Sequence, residues 1–288
     1  MTQFSMNQMT GTQESRLIQA GGSSMGTKTL VSFLAFTFGL SWVPMSLFML
    51  FADQFTALFG EMSSTNPLFL LAVYAPGISG IFLIWHHYGL KGLGSFFRRL
   101  IFWRAPIQWW LFLLLGIPVI VYAAAAIKGT INAPFPFLPW YMVFPVLIQS
   151  LLLGPMGEEF GWRGLALPLL QRRFSPFWAS LILGVVWAVW HAPAFLMSGT
   201  PQSAWSFGPF FVGLVAITVI LTPLFNASRG SLLIAILYHL NMMNPIFPDA
   251  QPWDNFLFAI AAVVIVWLNR RKMFQRDAGV TDILGRQL

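Results

Sequence analysis

Long apolar runs separated by short polar connections dominate the chain. Eight of them, at 29–51, 67–86, 107–127, 142–162, 177–197, 208–225, 231–247 and 254–269, are close to the length at which a helix crosses a hydrocarbon core, about 20 residues. The runs are continuously apolar, so they lack the alternation of a half-buried strand. A segment inside lipid must also satisfy its own backbone, which a helix does. The pattern predicts an all-α fold, a polytopic membrane helical bundle of about eight transmembrane helices. Pro44, Pro76, Pro118 and Pro155 lie within the runs and predict kinks, which membrane helices tolerate.

The ends of the chain differ from its middle. Residues 1–28 are polar, rich in Ser, Thr, Gln, Met and Gly, with no apolar core. They read as a disordered tail and not as a signal peptide. Residues 29–270 form the transmembrane domain, and 271–288 a basic cytoplasmic tail. No internal repeat stands out, which weakens transporter readings built on duplicated halves.

Composition sharpens the membrane reading. The 288 residues are 57% hydrophobic and 9% charged, against roughly a quarter charged in soluble domains. The net charge of +7 would suit a nucleic-acid partner, but its placement argues for a lipid bilayer and no nucleic acid. With an even number of spans and the N-terminus inside, Arg16, Lys28, Lys91, Arg98, Arg99, Arg104, Arg163, Arg172, Arg173, Arg229, Arg270, Arg271, Lys272, Arg276 and Arg286 are all expected on the cytoplasmic side. Lys128 falls outside, among Asp53, Glu61, Asp249 and Asp254. This is the positive-inside asymmetry. It predicts cytoplasmic N- and C-termini, in a bacterial or archaeal inner membrane. With no cysteine, disulfide and thiolate chemistry are excluded.

Polar groups left in the spans are costly there and so point to function. Glu158, Glu159 and Arg163 lie near the end of the fourth run, His191 in the fifth and His239 in the seventh. Glu159 and Arg163, four apart on a helix, can pair, while Glu158 is rotated by about 100° and faces elsewhere. An interfacial ion pair would explain Glu159 and Arg163 but not Glu158. Trp187 stands one turn before His191 and can pack on its ring. A lone histidine on an apolar helix is most simply bonded to a neighbouring carbonyl. Two histidines and two glutamates on three helices are more economically one site. His86 and His87, at the mouth of the second run beside Trp85 and Tyr88, read instead as an interfacial belt.

Three chemistries suit such a set. A desolvated glutamate, helped by a histidine, can take a proton from water and direct the hydroxide at a peptide carbonyl, with the second histidine stabilising the oxyanion. Glu158, His191 and His239 could instead hold Zn2+, a His₂Glu set with an open position, although HExxH is missing. A proton path is the third option.

The motifs Glu158-Glu159-x-x-x-Arg163, Trp187-x-x-x-His191 and a third-motif His239 resemble the CAAX protease and bacteriocin-processing family. These are intramembrane endopeptidases that include the type II CAAX prenyl proteases. The resemblance covers about 140–245 and the motifs stand in the family's order. It implies a helical bundle whose cavity opens toward the cytoplasm and a membrane-associated peptide or protein substrate, of which a CAAX-type prenylated tail is one form. By resemblance Glu158 is the catalytic glutamate, His191 helps to activate water, His239 belongs to the oxyanion site, and Glu159 and Arg163 support them. The family usually has Phe where Trp187 stands, and Asn where Met243 stands. Asn241 and Asn244 flank that position. Pro245 disfavours helical geometry at Asn244, so Asn244 is expected to turn back and substitute. A decayed, peptide-binding protein without catalysis is the rival reading.

One difficulty of depth follows from the ladder of spans. Glu158 falls toward the cytoplasmic end of its run and His191 toward the outer end of its own. They can meet if the fourth helix continues through Leu170, or if the fifth is tilted or broken near Pro193.

Overall fold

The computed structural model describes residues 25–285, so most of the tail expected over 1–28 lies outside the described residues. Among these every regular element is helical: α1 (Thr27–Leu50), α2 (Ala52–Phe59), α3 (Pro67–Phe97), α4 (Ile107–Leu111), α5 (Ile117–Lys128), α6 (Val143–Leu152) and α7 (Pro155–Gly161). They continue with α8 (Leu167–Gln171), α9 (Pro176–Trp190), α10 (Ala192–Phe195), α11 (Phe207–Ala227), α12 (Leu232–Met242), α13 (Trp253–Leu268) and α14 (Arg270–Phe274). Five helical stretches, Thr27–Leu50, Pro67–Ile101, Ile107–Lys128, Trp140–Gln171 and Phe207–Ala227, are long and apolar enough to cross a bilayer. Three shorter apolar helices, Pro176–Trp190, Leu232–Met242 and Trp253–Leu268, fall at the other three expected spans. The protein is an all-helical membrane bundle.

Exposed side chains match that solvent. Leu114, Val119, Ile148, Ile260 and Val263 stand on the outside of the bundle, where apolar groups face lipid without penalty. Helix association must then come from close packing rather than from the hydrophobic effect. The contact of α3 with α7 shows how. A Cβ on Gly77 would lie 2.6 Å from the Gly157 carbonyl oxygen, and one on Gly161 would lie 2.3 Å from that of Pro76. Only glycine permits this approach, and it presses α7 onto α3.

Both conditions set by the depth problem are met. The fourth span breaks at Leu153–Gly154, restarts at Pro155 and runs through a π-helical turn, Trp162–Ala166, to Gln171. The glutamates therefore stand at the start of a new helix inside the bundle. The fifth span stops at Trp190, with His191 as its cap before α10.

The two ends of the bundle are each knit together. At one end Arg99, fully buried, donates to the carbonyls of Gly230 (2.8 Å), Gly164 (2.8 Å), Ile283 (3.0 Å) and Arg163 (3.3 Å). Arg172 donates to Met25 and Thr281 carbonyls, and Ser231 Oγ to the Phe102 carbonyl. The segment after α14 folds back here, with Ile283 and Leu284 buried. At the other end Lys128 pairs with Asp249 at 2.8 Å, Thr130 Oγ1 donates to the Asp249 carbonyl at 2.6 Å, and Gly199 lies against Met62.

Candidate active site

Starting helix α7 at Pro155 puts Glu158 in its first turn and Glu159 beside it. Both are buried, as are Arg163, Trp187 and His239. Glu159 Oε1 accepts from Arg163 Nη1 at 2.9 Å and from His239 Nδ1 at 2.9 Å. Arg163, in the π-helical turn, also donates to Thr218 Oγ1 at 3.3 Å and lies 4.2 Å from the Trp187 ring centroid. The expected i,i+4 pair is present, and it reaches a third residue, His239, on α12.

Glu158 turns the other way. Its Oε2 accepts from the indole nitrogen of Trp187 at 2.6 Å. One turn later on the same helix, His191 Nδ1 lies 2.8 Å from the Trp187 carbonyl. A carbonyl only accepts, so Nδ1 carries the hydrogen and Nε2 presents a lone pair in the neutral ring. The Trp187 ring also meets His239 edge-on, with centroids 5.3 Å apart. Trp187 thus touches Glu158, Arg163, His191 and His239.

Glu158, His191 and His239 line one cavity of about 390 Å³. Its apolar walls include Trp42, Trp190, Trp205 and Phe210, and polar groups reach it from Gln149, Gln202, Asp254 and Asn255. This is the usual make-up of a ligand site, apolar with a few convergent polar groups. His86 and His87 are not among its lining residues; His87 Nδ1 bonds to the Leu83 carbonyl at 2.9 Å.

The third motif differs from expectation. Helix α12 ends at Met242, and Met242 and Met243 line the cavity whereas Asn241 and Asn244 do not. Asn244 Oδ1 accepts from the Ile246 backbone at 3.2 Å, closing its own turn, and Asn241 donates to the Leu113 carbonyl at 2.7 Å. The helix does end before Pro245, but the Asn244 side-chain oxygen is engaged in its own turn, away from the cavity lining. The Met243 sulfur and His239 Nε2 both border the space where a Cβ on Gly154 would stand, at 2.4 and 3.6 Å from it.

Glu158, His191 and His239 also form the set that would hold zinc. Among the described residues no three His, Asp or Glu side chains come together as a metal-binding group. Glu158 Oε2 and both Nδ1 atoms are engaged within the protein. These bonds leave Glu158 Oε1 and the Nε2 atoms of His191 and His239 as the atoms that would hold such an ion, and an Nδ1 bonded to an oxygen acceptor is an arrangement that metal-bound histidines also show.

Arg99 and Thr218 escaped the sequence reading. Arg99 sits in a basic run that charge placement alone explains, and Thr218 in an apolar helix where a hydroxyl ordinarily back-bonds, as it does to Leu214. Nothing in the local sequence marks either as a support of the Glu159–Arg163 pair.

Fold and site together define an integral membrane protein with a buried carboxylate–imidazole cluster opening on an apolar cavity. Residues 138–243 match the family model described as Type II CAAX prenyl endopeptidase Rce1-like. The matched segment contains Glu158, Glu159, Arg163, Trp187, His191 and His239, and ends one residue before Asn244. The chain is also similar to "CAAX prenyl protease 2" of Methanococcus maripaludis, 33% identical over 147 residues, which are 47% of this chain and 53% of that protein. The chain therefore aligns with about half the length of this curated relative. Both comparisons bear out the resemblance read from the three motifs.

Proposed function

We propose that the protein is an intramembrane endopeptidase that hydrolyses a peptide bond of a membrane-associated substrate. One observation carries this reading: Glu158 and His191 face the same cavity and are both fixed by Trp187, through its indole N–H and its carbonyl respectively. A water between Glu158 and His191 Nε2 would give its proton to the carboxylate as its oxygen attacks the peptide carbonyl carbon. Glu158 would then pass that proton to the leaving amine. His239 bonds Glu159 through Nδ1, and a hydrogen on its Nε2 would be the donor to the oxyanion. Glu159, Arg163 and Trp187 act as positioning residues. Asn244, occupied in its own turn, has no part in this arrangement.

A prenylated C-terminal tail is the substrate form to which the name of the Methanococcus relative points. The reading is tested with quenched fluorescent peptides and detergent-purified protein. Cleavage that is saturable, lost in Glu158→Gln and His191→Ala, and resistant to chelation is expected. Cleavage lost on chelation, with metal in the purified protein, would replace water activation by Glu158 with the zinc mechanism.

A further inference from the structure

The cavity and the arginines occupy opposite ends of the bundle. Ser64, Gln202, Gln251 and Asp254 bring the cavity out to the end where Lys128 meets Asp249. Its deeper wall comes from the halves of the helices nearest that end, such as Met45 and Phe69. At the other end Arg99 and Arg172 tie the turns together, and Arg98, Arg104, Arg173 and Arg229 lie in the turns around them. None of these six arginines lines the cavity. Among the described residues Lys128 is the one lysine or arginine at the cavity end, where Asp53, Glu61, Asp249 and Asp254 also lie.

Lysine and arginine in short connections are retained on the cytoplasmic side. An arginine-rich cytoplasmic face and a cavity open to the cytoplasm cannot both hold in this structure, and the charge distribution decides between them. We infer that the cavity opens on the extracytoplasmic face, so that its substrate is a peptide presented from that side. The aromatic walls suit bulky apolar residues, and Asp254 at the mouth favours a neutral or cationic segment over an acidic one. The substrate assignment rests on the hydrolase reading above; the direction of the mouth does not. A prenylated tail in the cytoplasm would meet the arginine-bearing end, where the pocket beside Arg104 and Arg229 is lined by neither Glu158 nor His191.

The chain has no cysteine, so single-cysteine variants can be labelled without background. Ser64→Cys and Gln251→Cys mark the mouth and Arg229→Cys the opposite end. A membrane-impermeant maleimide applied to intact bacterial cells expressing each variant should label the two mouth positions. It should reach Arg229→Cys only after permeabilisation. The reverse pattern would overturn the inference. In proteoliposomes whose orientation is scored by the same labels, peptide added outside should be cleaved only by molecules with the mouth outward. Mouth labelling in intact cells without cleavage of any peptide would keep the orientation, but would overturn the hydrolase reading and the substrate assignment with it.

Discussion

Trp187 donates its indole hydrogen to Glu158 at 2.6 Å, and the resembled family usually has Phe at this position. The bond leaves Oε1 as the oxygen free to meet water and fixes the carboxylate from the side facing His191. Hydrogen bonds to charged groups contribute about 1.5–3 kcal/mol. Trp187→Phe keeps an aromatic ring but removes the donor. It is expected to lower kcat by roughly 10- to 150-fold with little change in KM. A fall confined to KM would assign Trp187 to substrate binding.

The Glu159–Arg163 pair is fully enclosed, and His239 shares the same carboxylate oxygen. Removing one partner of a buried pair leaves an uncompensated charge and costs about 3–5 kcal/mol. Arg163→Met should therefore lower the thermal unfolding midpoint in detergent, and adding Glu159→Gln should recover part of the loss. An unchanged midpoint in the single variant would show that the pair does not support the fold.

Gly77 and Gly161 bring α3 and α7 into backbone contact. A methyl group at either site must push the helices apart, and overpacking costs about 1–3 kcal/mol. Gly161→Ala is expected to reduce both thermal stability and activity, because α7 carries Glu158. Full activity in this variant would mean that α7 can shift without moving the site.

Met243 stands where the resembled family usually has Asn, and its sulfur shares the Gly154 contact with His239 Nε2. Met243→Asn would place an amide donor beside the proposed oxyanion position and is expected to raise kcat. Asn244→Ala should leave kcat within about twofold, since its half-buried side chain closes its own turn and does not line the cavity. Inactivation by Asn244→Ala would instead show that its turn opens when substrate binds.

Eight spans were legible because apolar runs of bilayer length are a local property of the chain. The members of the site were legible for a related reason: Glu158, Glu159, His191 and His239 are expensive in lipid wherever they fall. Their depth was not. It depends on the break at Leu153–Gly154 and on the end of α9 at Trp190, which tertiary packing selects among several Gly and Pro positions. Nor was the Trp187 bond to Glu158 legible, since it joins residues 29 positions apart. Arg99 shows the same limit: its neighbours in sequence suggest an exposed basic run, whereas its partners Gly164, Gly230 and Ile283 come from distant segments. The expected substitution by Asn244 took the end of the helix before Pro245 into account, but not the turn that engages its side-chain oxygen.

Hydrolysis at Glu158 is tested most directly by comparing purified wild type with Glu158→Gln on a quenched fluorescent peptide library, with folding of both checked by thermal unfolding. Glutamine keeps the acceptor for Trp187 but cannot take a proton from water. Cleavage by wild type and none by the folded variant is the expected result. Equal cleavage by both would contradict a general-base role for Glu158, and no cleavage by wild type on prenylated or unprenylated peptides would point to a peptide-binding role without catalysis.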